Sequence, residues 1–156
     1  MVSRALIGLW NWDNTISAIY LHENGYPVHG AGEILANKYP TWDQVWELIE
    51  LGHLFVLGSE LSPDFSKPHS IHTPQPDVTV AFHRDHGRPE SPPFVVHSLN
   101  EYVAYGRTEI EAEYLYLFAC GTWFIYFLNG EQPPYWYDLN YILGLGKQEN
   151  SSNTGC

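Results

Sequence analysis

The sequence predicts an α+β fold: a mainly antiparallel sheet of about five to seven strands with about three short helices on one face. Three hairpin-like regions, at 4–21, 78–96 and 114–127, place short runs of β-formers on either side of turn residues. Helical periodicity is confined to segments too short to act as βαβ crossovers throughout. A hydrophobic fraction of 44% and an aromatic fraction of 15% in 156 residues supply a core without staples. One domain is expected over 1–146, followed by a flexible polar tail over 147–156.

The elements follow in order. Arg4–Trp10 is mostly apolar and suits a strand buried on both sides. Asn11-Trp12-Asp13-Asn14 is a turn, and Thr15–Leu21 returns as the second strand. The chain then breaks at Asn24-Gly25, a pair that tolerates positive φ, and Pro27 and Gly30 keep it irregular. Ala31, Ile34, Leu35 and Lys38 follow helical spacing. Thr41 and Gln44 form a capping-box pattern, and Trp42, Val45, Trp46 and Ile49 line one face of a second helix that stops at Gly52. Both tryptophans are expected in the core.

Residues 59–76 hold four prolines and few apolar side chains, so they read as a long loop carrying solvent-exposed His69 and His72. Val78–Phe82 is expected as a strand that runs into the charged turn His83-Arg84-Asp85-His86-Gly87-Arg88. Phe94–Val96 is a further strand, and a helix capped by Ser98 stops at Gly106. The clearest element is the hairpin Tyr114–Phe118 with Thr122–Phe127. Its apolar side chains face both ways, so it belongs in the centre of a sheet or against a second copy of the chain. Tyr135–Leu143 is a last strand or docked turn.

Composition excludes several classes. A net charge of −11 repels a phosphate backbone, so no nucleic-acid partner is expected. No apolar run approaches the roughly 20 residues that span a bilayer, so no membrane partner is expected either. The two cysteines, Cys120 and Cys156, are too few for a disulfide framework or a structural zinc site, which suggests a reducing cytoplasm. His69-x-x-His72 lacks a third ligand nearby, so neither a metal nor another cofactor is expected. There is no P-loop, dinucleotide fingerprint or nucleophile elbow, and no catalytic residue is assigned. A phosphodiesterase assembled from His22, His29, His83 and His86 stays open as an alternative.

Two polar clusters leave strand ends and define a candidate site. Tyr20, His22, Asn24, Tyr26 and His29 follow the second strand, and His83, Arg84, Asp85 and Arg88 follow the strand near 80. If those ends meet, Tyr20, His22 and Tyr26 face His83, Arg84 and Asp85 across one pocket. Arg84 then forks onto a phosphate, with Trp123 offering a further aromatic surface. The plainer alternative is a charged turn in which Arg84 and Asp85 pair with other parts of the protein.

Several blocks resemble a widespread family of small phage, prophage and bacterial proteins. The family's Ile-Tyr-Cys-His-Trp-Asp-Gly-Tyr-Pro loop is matched by Ile19, Tyr20, His22, Gly25, Tyr26 and Pro27. Its Val-Ala-x-x-Arg-Asp-Arg-Gly block is matched by Val80, Ala81, Arg84, Asp85 and Gly87. Its closing hairpin is matched by Tyr114, Tyr116, Leu117, Phe118, Gly121 and Trp123. Leu21 stands for the usual Cys, Glu23-Asn24 for Trp-Asp, and His86 for Arg. The resemblance and the phage context imply a viral sponge, acting in the bacterial host cytoplasm without catalysis. It would sequester an ADP-ribose-type or cyclic-dinucleotide immune signal. A hydrolase of that signal, or a protein inhibitor of host defence, are the alternatives.

Overall fold

The computed structural model describes residues 2–144. The tail expected over 147–156 lies outside the described residues. Eight strands form one sheet: β1 (Ala5–Trp10), β2 (Ile16–Leu21), β3 (Leu54–Val56), β4 (Val80–Ala81), β5 (Phe94–Val96), β6 (Tyr114–Ala119), β7 (Thr122–Phe127) and β8 (Trp136–Asp138). They run in the order β4-β3-β2-β1-β6-β7-β8, with β5 also paired to β2. Only β1 with β6 and β2 with β3 are parallel, so the fold is α+β with a mostly antiparallel sheet. Among the described residues five α-helices accompany it: α1 (Ala31–Lys38), α2 (Trp42–Glu50), α3 (Phe82–His86), α4 (Leu99–Tyr105) and α5 (Leu139–Leu143).

The pleat of β1 separates two apolar layers. Ala5, Ile7 and Leu9 join Ile19 and Leu21 of β2 and the buried sides of α1, α2 and α5. Leu6 faces the other way, with Ile16, Ala18, Val96 and Tyr102. A side chain at Gly8 would press on Tyr102, since its Cβ would fall 2.8 Å from the Tyr102 hydroxyl. That hydroxyl donates to the Tyr116 carbonyl at 2.8 Å, which pins α4 to the sheet. Three helices thus cover one face, but the helix at 99–105 covers the opposite one. Its place on the first face is taken by α5, in a stretch read as strand or turn.

Two local readings are corrected. α2 carries the capping box foreseen at Thr41 and Gln44. Its buried stripe, however, is Val45, Leu48 and Ile49, while Trp42 and Trp46 are 43% and 45% exposed. Spacings of three and four residues define one face of a helix, and Trp46 lies about 100° away from Val45. α4 ends where expected, with Gly106 as its C-cap. The chain continues through a π-turn, Gly106–Ile110, that ends on Glu111 in the left-handed region. The strand expected over 78–82 shrinks to β4, because Phe82 already begins α3.

Candidate functional site

The loop after β2 is held from several sides. The Gly25 N–H donates to the Ser3 carbonyl, and the Tyr116 hydroxyl donates to the Gly25 carbonyl at 2.6 Å. A Cβ on Gly25 would sit 2.7 Å from the Ser3 carbonyl oxygen, which explains the glycine. Asn24 and His29 take positive φ, and both are exposed. Tyr26 turns toward the α1 layer, with its ring edge-on to Tyr114. The loop is therefore a packed corner that leaves only part of its polar set available.

The second cluster is consumed by the fold. Arg84 donates twice to the Asp85 carboxylate at 2.8 Å, and also to the Leu61 and Thr79 carbonyls at 2.9 and 2.8 Å. Asp85 accepts in addition from the Ala81 N–H. His69, read as solvent-exposed, is 3% exposed and lies 3.5 Å from Asp85. Its Nδ1 accepts from the Gln75 N–H, so its Nε2 donates to the Thr79 carbonyl. Arg84 and Asp85 thus fasten the 59–79 loop to α3. His83 points its Nδ1 at the Arg88 carbonyl. Trp123 is buried, donating from its indole N–H to the Tyr39 carbonyl.

The two clusters do not face each other across one pocket. β3 lies between β2 and β4, so the strand ends are separated by a strand. The meeting that does occur is aromatic. The His22 ring contacts Phe55 of β3 and the edge of Phe82, at 5.7 and 6.3 Å between ring centres. Arg88 sits over the Phe82 ring at 6.0 Å.

A different constellation forms beside Tyr20. Ala5 pairs with Leu21, so Arg4 lies across from His22, on the same side of the sheet as Leu6 and Tyr20. Arg4 and Tyr20 line a cavity of about 330 Å³ together with Glu109, Ile110 and Glu111 from the π-turn and its exit. Among the described residues the Arg4 guanidinium has no carboxylate within ion-pairing distance. The Tyr20 hydroxyl hydrogen-bonds His22 Nδ1 at 2.7 Å, and the Tyr20 N–H donates to His53 Nδ1 at 3.0 Å. Burial pushes the Tyr20 phenol above its ordinary value, while the neighbouring Arg4 charge pulls it back. Glu111 holds φ of 54° at the cavity edge, and a π-turn leads into it. Both are features that cluster at functional sites.

Of the residues expected to bind ligand, Tyr20 and His22 belong to this site, and Arg88 lies beyond them over Phe82. Tyr26 and Trp123 lie in the opposite layer, while Arg84 and Asp85 are engaged elsewhere. Arg4, Glu109 and Glu111 were not foreseen. Among the described residues no three His, Cys, Asp or Glu side chains converge as a metal set, and no helix is long and apolar enough to cross a membrane. No protein family, curated protein or solved structure matches the chain.

Proposed function

We propose that this protein binds a small nucleotide-derived signal at the Arg4–Tyr20–His22 cavity and sequesters it without chemical change. The observation that carries the reading is Arg4. It is a half-buried guanidinium beside a Tyr–His pair, in a cavity at the lower end of the roughly 300–1,000 Å³ usual for ligands. A guanidinium so placed takes a phosphate through a bidentate, charge-assisted contact. Glu109 and Glu111 accept from ribose hydroxyls, and Tyr20 with the His22 bonded to it offers ring faces and edges to a base. The likeness of the Ile19–Pro27 and Val80–Gly87 blocks to phage proteins supports a role in disarming nucleotide-based defence in a bacterial host. Cyclic ADP-ribose, histidine-ADP-ribose and cyclic dinucleotides are the ligands to try first.

The 2.7 Å contact between Tyr20 and His22 favours a second reading, in which the pair moves a proton and the signal is hydrolysed. One experiment separates the two. The protein is incubated with each nucleotide, freed of unbound ligand, heated, and the supernatant analysed by mass. Sequestration returns the intact nucleotide in stoichiometric amount, and hydrolysis returns fragments. If no nucleotide is retained and none is converted, both readings fail.

A further inference from the structure

The closed end of the β1–β2 hairpin carries a second, chemically different cavity of about 440 Å³, lined by Asn11, Trp12, Asp13, Trp42 and Trp46. Its walls are indoles. Trp12 stands 96% exposed at the hairpin tip, while Trp42 and Trp46 of α2 lie nearly parallel, 18° apart, with ring centres 6.5 Å from each other. Leaving three indoles partly in water has a cost that folding did not remove. α2 buries Val45, Leu48 and Ile49 and turns its tryptophans outward.

The tip that bears Trp12 is built to hold it. Asn11 donates from its side chain to the Thr15 and Ser17 hydroxyls, and Trp10 donates to Asn14, which takes a φ of 71°. Asp13 accepts from the Thr15 N–H and hydroxyl through Oδ1. Those same two bonds hold the Asp13 carboxyl below its ordinary value, so it is an anion at neutral pH. No lysine or arginine lines the cavity, and the whole chain carries −11.

We propose that Trp12, Trp42, Trp46 and Asp13 form a binding site for a quaternary or methylated ammonium group. The faces of indoles are the electron-rich surfaces such cations prefer, and a bulky alkylated cation sheds little hydration on entering between them. The exposed Asp13 carboxylate supplies the counter-charge. An anionic or phosphorylated ligand is opposed here by Asp13 with no arginine or lysine in the lining to offset it, so this site differs in chemistry from the Arg4 cavity.

Tryptophan fluorescence titrated with choline tests the proposal, because the three exposed indoles report directly on occupancy. Saturable quenching is expected with choline, and binding at least roughly tenfold weaker with the neutral analogue in which tert-butyl replaces trimethylammonium. Trp12→Ala and Asp13→Asn should each weaken choline by a similar factor. Both positions are exposed, so both variants should fold with the wild-type melting temperature. Trp46→Ala checks the opposite wall. A trimethyl-lysine peptide run in parallel distinguishes the source: tighter binding than choline points to a protein tail, weaker binding to a free metabolite. Equal binding of the neutral analogue, or no change with Asp13→Asn, would overturn the assignment. So would saturation by a neutral glucose oligomer but not by choline.

Discussion

Arg84 and Arg4 are both half-buried arginines, and they do opposite things. Arg84 meets a carboxylate and two carbonyls, and its Nε, Nη1 and Nη2 each donate to the protein. Arg4 meets a phenol and a cavity. The difference lies in what competes for the guanidinium. The 59–79 loop brings carbonyls that have no strand to pair with, and a buried polar group left unpaired is costly. An arginine beside such a loop is drawn into satisfying it. An arginine at the start of a fully laddered strand finds no orphaned acceptors, and stays available to a ligand.

The strongest way to break this comparison is Arg84→Ala. It leaves the Asp85 carboxylate, 4% exposed, with only the Ala81 N–H and the His69 side nearby. Removing one partner of a buried ion pair costs about 3–5 kcal/mol, and the 20% exposure of Arg84 places this case at the low end. A melting temperature lower by roughly 6–12 °C is expected, from about 2–4 °C per kcal/mol at this size. Nucleotide retained per folded molecule should not change. A stable Arg84→Ala protein that no longer retains nucleotide would return Arg84 to the ligand site.

Arg4→Ala is the mirror experiment. Nucleotide affinity should fall by roughly tenfold or more, since a charge-assisted contact contributes about 1.5–3 kcal/mol. Stability should move by about 1 kcal/mol or less, the worth of the half-buried hydrogen bond from Arg4 to the Tyr20 phenol. Equilibrium dialysis and chemical denaturation on one preparation give both numbers. If Arg4→Ala unfolds the protein while leaving affinity intact, the cavity is not the ligand site.

Tyr20→Phe gives a finer cut. It keeps the ring and removes the hydroxyl that meets His22 at 2.7 Å. Under sequestration the affinity should drop about threefold to tenfold, the worth of one neutral hydrogen bond of about 0.5–1.5 kcal/mol. Under hydrolysis, turnover should fall by about two orders of magnitude or more with affinity little changed. Ligand retention and product formation are read from the same reaction.

How much of this was legible in the sequence depended on range. The hairpins at 5–21 and 114–127 show themselves because each is closed by local turn residues and carries its own pattern. The parallel union of β1 with β6 joins residues more than a hundred positions apart, and no local signal encodes it. β3 is three residues long and escaped notice, yet it is what separates the two clusters that were expected to meet. Arg4 was within reach. Counting back from the Asn11–Asn14 turn places it opposite His22. Arg84 shows the complementary limit. Whether an arginine binds a ligand or a loop depends on carbonyls brought by residues 61 and 79, and the chain itself does not say where those will lie.

The smallest effect tests the floor beneath Tyr20. His53 Nδ1 accepts the Tyr20 N–H at 3.0 Å, so the imidazole must stay unprotonated at that nitrogen, and burial holds its pKa below the ordinary value. The unfolded chain, by contrast, binds a proton near the usual histidine value of about 6.5. Between the two values the unfolded state carries more protons than the folded one, so stability rises with pH. The contribution is complete above about 6.5 and is lost as pH falls toward the folded pKa. His53→Gln removes the titration but not the other seven histidines, which act equally on both proteins. The stability advantage of wild type over His53→Gln should therefore shrink as pH drops from about 7.5 to about 5, measured by denaturant unfolding at several pH values. Parallel curves would mean that His53 titrates alike in both states. The bond to Tyr20 would then be an incidental contact and not the support that fixes one wall of the cavity.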